Sequence, residues 1–151
     1  MNVLSAIVLL LAAAGCSASK SGLDGVYATP REVAGFFGET LELHGGHFSL
    51  WAYSDVALPH SVKYPIHGSY RVEGGYVILE GADVHSPRRF IVEFQGQRFL
   101  LREDSVHAWQ SGQKLYPYGC LIRTDIRPEA LTFTNLPSVT LFGAQHVAEY
   151  Y

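Results

Sequence analysis

His44 and His47 flank the pair Gly45-Gly46, and Glu42 stands two residues before the first of them. If the glycines make a two-residue hairpin turn, His44 faces His47 with Cβ atoms about 5 Å apart, and Glu42 follows on the same side. Two imidazoles and a carboxylate suit Zn²⁺ or Cu²⁺ with a coordination position left open. The same residues equally make an ordinary polar hairpin end. A second group is Trp51, Tyr53 and Asp55, whose alternation offers either an aromatic binding surface or the second face of a β wall. His60, His67, His85, His107 and His146 are scattered singly and assign no role. Arg88 and Arg89 suit an anionic headgroup or glycan, or a solvated strand edge that discourages aggregation. The chain has no Gly-x-Ser-x-Gly elbow, Walker loop or dinucleotide fingerprint, so no spacing assigns catalysis.

The elements that must position these residues are short alternating segments separated by turn pairs. Around Gly45-Gly46, Leu43 faces Phe48 and Leu41 faces Leu50. Around Gly74-Gly75, Val72 faces Val77 and Tyr70 faces Leu79. Taking Gly96-Gln97 as a type II′ turn pairs Phe94 with Phe99 and Val92 with Leu101. A fourth hairpin is expected from Val106 to Tyr116 around Ser111-Gly112. Leu23 to Thr29, Cys120 to Thr124 and Leu131 to Thr134 read as further strands, and Val139, Leu141 and Phe142 suggest one more. Helix is scarce: Pro30 to Phe36 offers about two turns with Thr29 as cap, and Pro128 to Leu131 about one. The expected fold class is all-β, an antiparallel meander of about eight to ten short strands, either a rolled sheet or an up-and-down barrel.

Residues Val3 to Gly15 carry no charge, and Ser17, Ser19 and Lys20 follow too soon for the roughly 20 apolar residues a membrane-spanning helix needs. That pattern is an export signal. The run Ala13-Ala14-Gly15-Cys16 resembles the bacterial lipobox. The resemblance implies cleavage before Cys16, acylation of Cys16 and partnership with a membrane through that anchor. Ser17 after the cysteine implies the outer membrane, facing the periplasm, in a Gram-negative host. The organisation is then a signal peptide over 1–15, a lipidated cysteine and flexible tether over 16–22, and one β domain over 23–151. Without its first 15 residues the 151-residue chain keeps 136, enough for a single core.

With 11 basic against 14 acidic residues and a net charge of -3, the chain is a poor electrostatic match for nucleic acid. Once Cys16 is acylated only Cys120 is left, so an internal disulfide is excluded, and Cys120 within an apolar run reads as a small buried hydrophobe. The segment Gly25-Val26-Tyr27 followed by a meander resembles the small lipocalin-like lipoproteins, with Tyr27 where their signature has Trp. That resemblance implies a calyx for a small apolar ligand. No cofactor is expected, apart from the Zn²⁺ or Cu²⁺ that the histidine pair would suit. The function expected is a non-enzymatic binding module for such a ligand or for an envelope component. The alternatives are metal binding through His44, His47 and Glu42, and an interaction or inhibitor role toward an envelope protein.

Overall fold

The structure is a computed structural model in which residues 22–33, 37–54, 59, 62–113 and 119–138 are described. Eight antiparallel strands form a closed up-and-down barrel: β1 (Gly25–Ala28), β2 (Phe37–His44), β3 (His47–Ser54), β4 (Ile66–Glu73), β5 (Tyr76–Glu80), β6 (Arg88–Phe94), β7 (Gln97–Arg102) and β8 (Cys120–Thr124). A helix, α1 (Glu103–Gln110), lies between β7 and β8, and a 3-10 turn spans Pro128–Ala130. Each strand pairs with its sequence neighbour, and β1 pairs with β8 to close the wall.

The two ends of the barrel differ. Gly45-Gly46, Gly74-Gly75 and Gln95-Gly96 make tight turns at one end, each with positive φ at both residues as a type I′ turn requires. The connections at the other end run over residues 29–36, 55–65, 81–87 and 103–119.

Strict alternation fills the interior. Tyr27, Leu41, Leu43, Phe48, Leu50, Val77, Leu79, Leu100 and Leu121 point inward, each 0–3 % exposed. Burying one such side chain contributes about 1.5–3 kcal/mol. The alternate residues of β6, β7 and β8 point outward and are covered by α1. Val106 and Trp109 pack there on Val92, Phe99, Leu101, Cys120 and Ile122. The Trp109 ring meets Phe94 and Phe99 edge-on at 5.6 and 5.2 Å between centroids. Outward Val26 and Ala28 of β1 are covered by Leu131 and Leu136.

The first two hairpins have the expected register, including Leu43 opposite Phe48 and Tyr70 opposite Leu79. The third differs. Gln95 takes positive φ and Gln95-Gly96 forms the turn, so Val92 faces Phe99 and Phe94 faces Gln97. The partners shift by two, an even number, which keeps every side chain on its expected face. The expected first strand of a fourth hairpin is instead part of α1, and residues 114–116 of its expected return strand lie outside the described residues. Glu103 and Asp104 occupy the helix's positive N-terminal turn, Val106 and Trp109 share a face at i, i+3, and Gly112 with φ 69° ends it. Leu131 to Thr134 is not a strand, because the Asn135 side chain caps a turn there by accepting from the Thr132 N–H at 2.7 Å. Thr29 caps no helix; its hydroxyl bridges to the backbone of Glu39 at 2.8 and 3.1 Å. Residues 34–36 and 139–151, with the remainder of the expected helix and the expected last strand, lie outside the described residues.

Candidate functional site

Each end of the packed interior carries charge. At the tight-turn end, inward Arg98 and Arg123 both donate to the Gly22 carbonyl, and Arg123 also donates to that of Asp24 at 3.0 Å. Tyr27 Oη donates to the Leu23 carbonyl at 2.9 Å, and burial raises the Tyr27 pKa above the usual tyrosine range. The tether expected to run freely to Gly22 is therefore fixed at its last residue.

At the other end, Arg89 is 0 % exposed, which corrects the expectation of a solvated strand edge. The even spacing that turns Val77 inward also turns its partner Arg89 inward. Its guanidinium donates to Glu39 at 3.0 Å and to the Ser86 carbonyl. Arg102 stands directly opposite on β7, where it meets Ser86 Oγ at 3.4 Å and Asp104 at 3.7 Å. Among the described residues, the buried Nε atoms of both arginines have no acceptor. Between these ends the described interior is packed with the barrel's own side chains, while inward-facing Ala52, opposite Glu39 toward the second end, is exposed.

The outer face of β2, β3 and β4 is different. The register sets Glu42, Ser49 and His67 side by side across the three strands, with His44 opposite His47 two pairs nearer the turn, next on the same face. Glu42, His44, His47, Phe48, Ser49, His67 and Gly68 line a depression of about 570 Å³. Ser49 Oγ lies 3.0 Å from His67 Nδ1. That contact is short enough to fix the imidazole, yet Glu42 flanks Ser49 rather than His67. The order of a charge-supported nucleophile, with acid behind base, is thus not built. His44 Nδ1 is 3.9 Å from Asp24 Oδ2, too far for a hydrogen bond.

No protein family, curated protein or solved structure matches this chain.

Of the two residue groups singled out in the sequence, Glu42, His44, His47 and Trp51 share this face. His44 and His47 stand opposite each other as expected, and His47, Ser49 and Trp51 alternate outward along β3. Trp51 is partly exposed opposite Thr40; Tyr53 is set by its backbone opposite Gly38, and Asp55 lies outside the described residues. Among the described residues, no three His, Cys, Asp or Glu side chains converge to hold a metal ion as they stand. The convex outer wall of a barrel splays neighbouring side chains apart. His67 escaped sequence reasoning because the β3–β4 pairing crosses residues 55–65, which carry no turn pair to count from. The signal that would have found it is the apolar alternation of Ile66, Gly68 and Tyr70, which fixes His67 on the outer side.

Cys120 is buried under α1. Burial, with a smaller contribution from Glu32, pushes its thiol up from 9.0 to about 12. It is a core residue, not a reactive one.

Proposed function

We propose that this chain is a lipid-anchored cell-envelope protein, acylated at Cys16, whose barrel is a non-enzymatic binding module for an envelope component. In a Gram-negative host it is held at the outer membrane facing the periplasm. The binding surface is the outer face of β2–β4. The observation that carries this reading is that the described barrel interior is packed with the chain's own side chains, while the Glu42/His44/His47/Ser49/His67 depression and the partly exposed Trp51 lie together on the outer face of β2–β4. A partly exposed Trp beside hydrogen-bonding groups is the usual make-up of an interaction hot spot. A packed core between the two ends also favours an interaction or inhibitor role over a calyx, since small barrels fill themselves.

The test is retention of the purified domain on isolated envelope fractions. Wild type is expected to be retained, with Trp51→Ala and Ser49→Arg released and correctly folded. Retention untouched by both substitutions, together with an organic adduct in native mass spectrometry, would return the ligand to the lumen. Acylation is tested separately: Cys16→Ser should abolish incorporation of an alkyne-tagged fatty acid.

A second reading, metal binding through His44, His47 and Glu42, is favoured by the directly opposed imidazoles. Exposed His44 is free to rotate toward a Zn²⁺ or Cu²⁺ ion. His47→Ala should remove stoichiometric uptake; uptake equal to wild type sinks this reading.

A further inference from the structure

The chain reaches its first strand through a clamp. Gly22 to Asp24 is tied to partners on four strands and a turn. Arg98 of β7 and Arg123 of β8 hold the Gly22 carbonyl, and Tyr27 of β1 holds that of Leu23. The Asp24 carboxylate accepts from Tyr70 Oη of β4 at 2.7 Å and from the Gly45 N–H at 3.1 Å. Leu23 itself packs into the interior core. Arg98 and Arg123 are inward-facing residues, so the segment lies over the mouth of the tight-turn end rather than along the outer wall.

We infer that the barrel stands with its tight-turn end against the lipid headgroups and its opposite rim, from which the long connections leave, held away from them. The inference rests on the proposed acylation of Cys16. From Cys16 to Gly22 is six peptide steps, which reach at most about 21 Å in any conformation and about 13 Å for a flexible chain of that length. An eight-residue strand rising about 3.4 Å per residue and tilted by about 40° gives a wall about 20 Å high. To bring the long connections to the bilayer, the tether would first cross roughly 10 Å from the barrel axis to its outer surface and then descend that height. The path of roughly 30 Å exceeds the reach. The Glu42/His44/His47 rim beside the Gly45 turn is thereby placed near headgroup level. The opposite rim, with Arg89, Arg102 and the 81–87 connection, faces whatever lies beyond the membrane surface, while α1 lies along the outer wall between the two ends.

The experiment uses the full chain, acylated in cells and reconstituted into phosphatidylethanolamine–phosphatidylglycerol vesicles carrying a headgroup energy acceptor. A donor dye is attached at Glu73→Cys, beside the Gly74 turn, or at His85→Cys, in the 81–87 connection; both positions are exposed. Cys120 is buried and takes no dye. With a short-range dye pair, transfer at position 73 should exceed that at position 85 by roughly two-fold or more, given a height difference of about 20 Å. Inserting ten Gly/Ser residues between Ser19 and Lys20 should shrink the contrast, because only tether reach maintains it. Equal or reversed transfer in protein that floats with the vesicles overturns the orientation and leaves the anchor standing. Protein that carries no acyl chain and does not float overturns the anchor reading and this inference with it.

Discussion

Removing Glu39 should destabilise the barrel more than removing the arginine it pairs with. Arg89 is completely buried and Glu39 is its one carboxylate partner among the described residues, at 3.0 Å. Deleting one member of a buried pair costs about 3–5 kcal/mol when the survivor stays charged and unpaired. Glu39 is 24 % exposed, and Arg89 keeps carbonyl acceptors at Ser86 and Arg88, so Glu39→Ala belongs at the lower edge, about 3 kcal/mol. Arg89→Met leaves a partly exposed carboxylate and relieves the facing of two guanidiniums, so about 1–2 kcal/mol is expected. The double variant Arg89→Met/Glu39→Leu should return to within about 1 kcal/mol of wild type. Urea unfolding followed by tryptophan fluorescence measures this. With a slope of about 1.5 kcal/mol/M, Glu39→Ala lowers the midpoint by about 2 M. A loss below about 1 kcal/mol for Glu39→Ala, or a larger loss for Arg89→Met, would refute the argument that an unpaired buried charge sets the cost.

Three further outcomes follow from packing and titration. Cys120 should stay unmodified by a thiol reagent at neutral pH in the native state and react on unfolding. Its thiol is held protonated, so its contribution to stability is whole below pH 9.0 and is lost as the pH rises toward about 12; Tyr27 acts in the same direction, and Cys120→Ala should flatten part of this alkaline decline in urea midpoint. Gly68→Ala should cost about 2–3 kcal/mol, because the new Cβ meets the Glu80 carbonyl and lies 2.6 Å from the Phe48 ring; a neutral effect by thermal melting would show that β4 can move outward. Trp109→Ala should cost about 3 kcal/mol by uncovering the outer faces of β6–β8, read as a lower urea midpoint and faster amide exchange in α1.

How far the fold could be read depended on how local its determinants are. Gly45-Gly46 and Gly74-Gly75 specify type I′ turns, and counting outward from them gave the right facing pairs for two hairpins. In the third, a single glycine left two possible turns, and the chain uses the one that puts a left-handed conformation on Gln95. Helix α1 was hidden because Val106, Ala108 and Gln110 alternate acceptably as a strand, while its helical pattern becomes decisive only when the outer faces of β6–β8 need covering. The opposed His44 and His47 were legible for the same reason as their hairpin. His67, the inward turn of Arg89 and the fixing of Gly22 were not, because each depends on a pairing between segments far apart in sequence or on which wall of a closed sheet a residue faces.

Closure of the wall through β1 and β8 has a consequence for how the barrel is made. Seven of its eight ladders join neighbouring strands, but the last pairs Val26 with Thr124. A chain synthesised from its N-terminus completes β1 first and β8 last. Until β8 is available, β1 is the open edge of a growing sheet, with the apolar Val26 and Ala28 uncovered because Leu131 and Leu136 come later still. Bringing such distant segments together carries the largest loop-closure entropy in the molecule and makes closure the slow, non-local step of folding. The interval before it is when the nascent chain is most open to edge-to-edge association, and β1, at four residues the shortest strand, is the least inviting template the sheet could leave exposed.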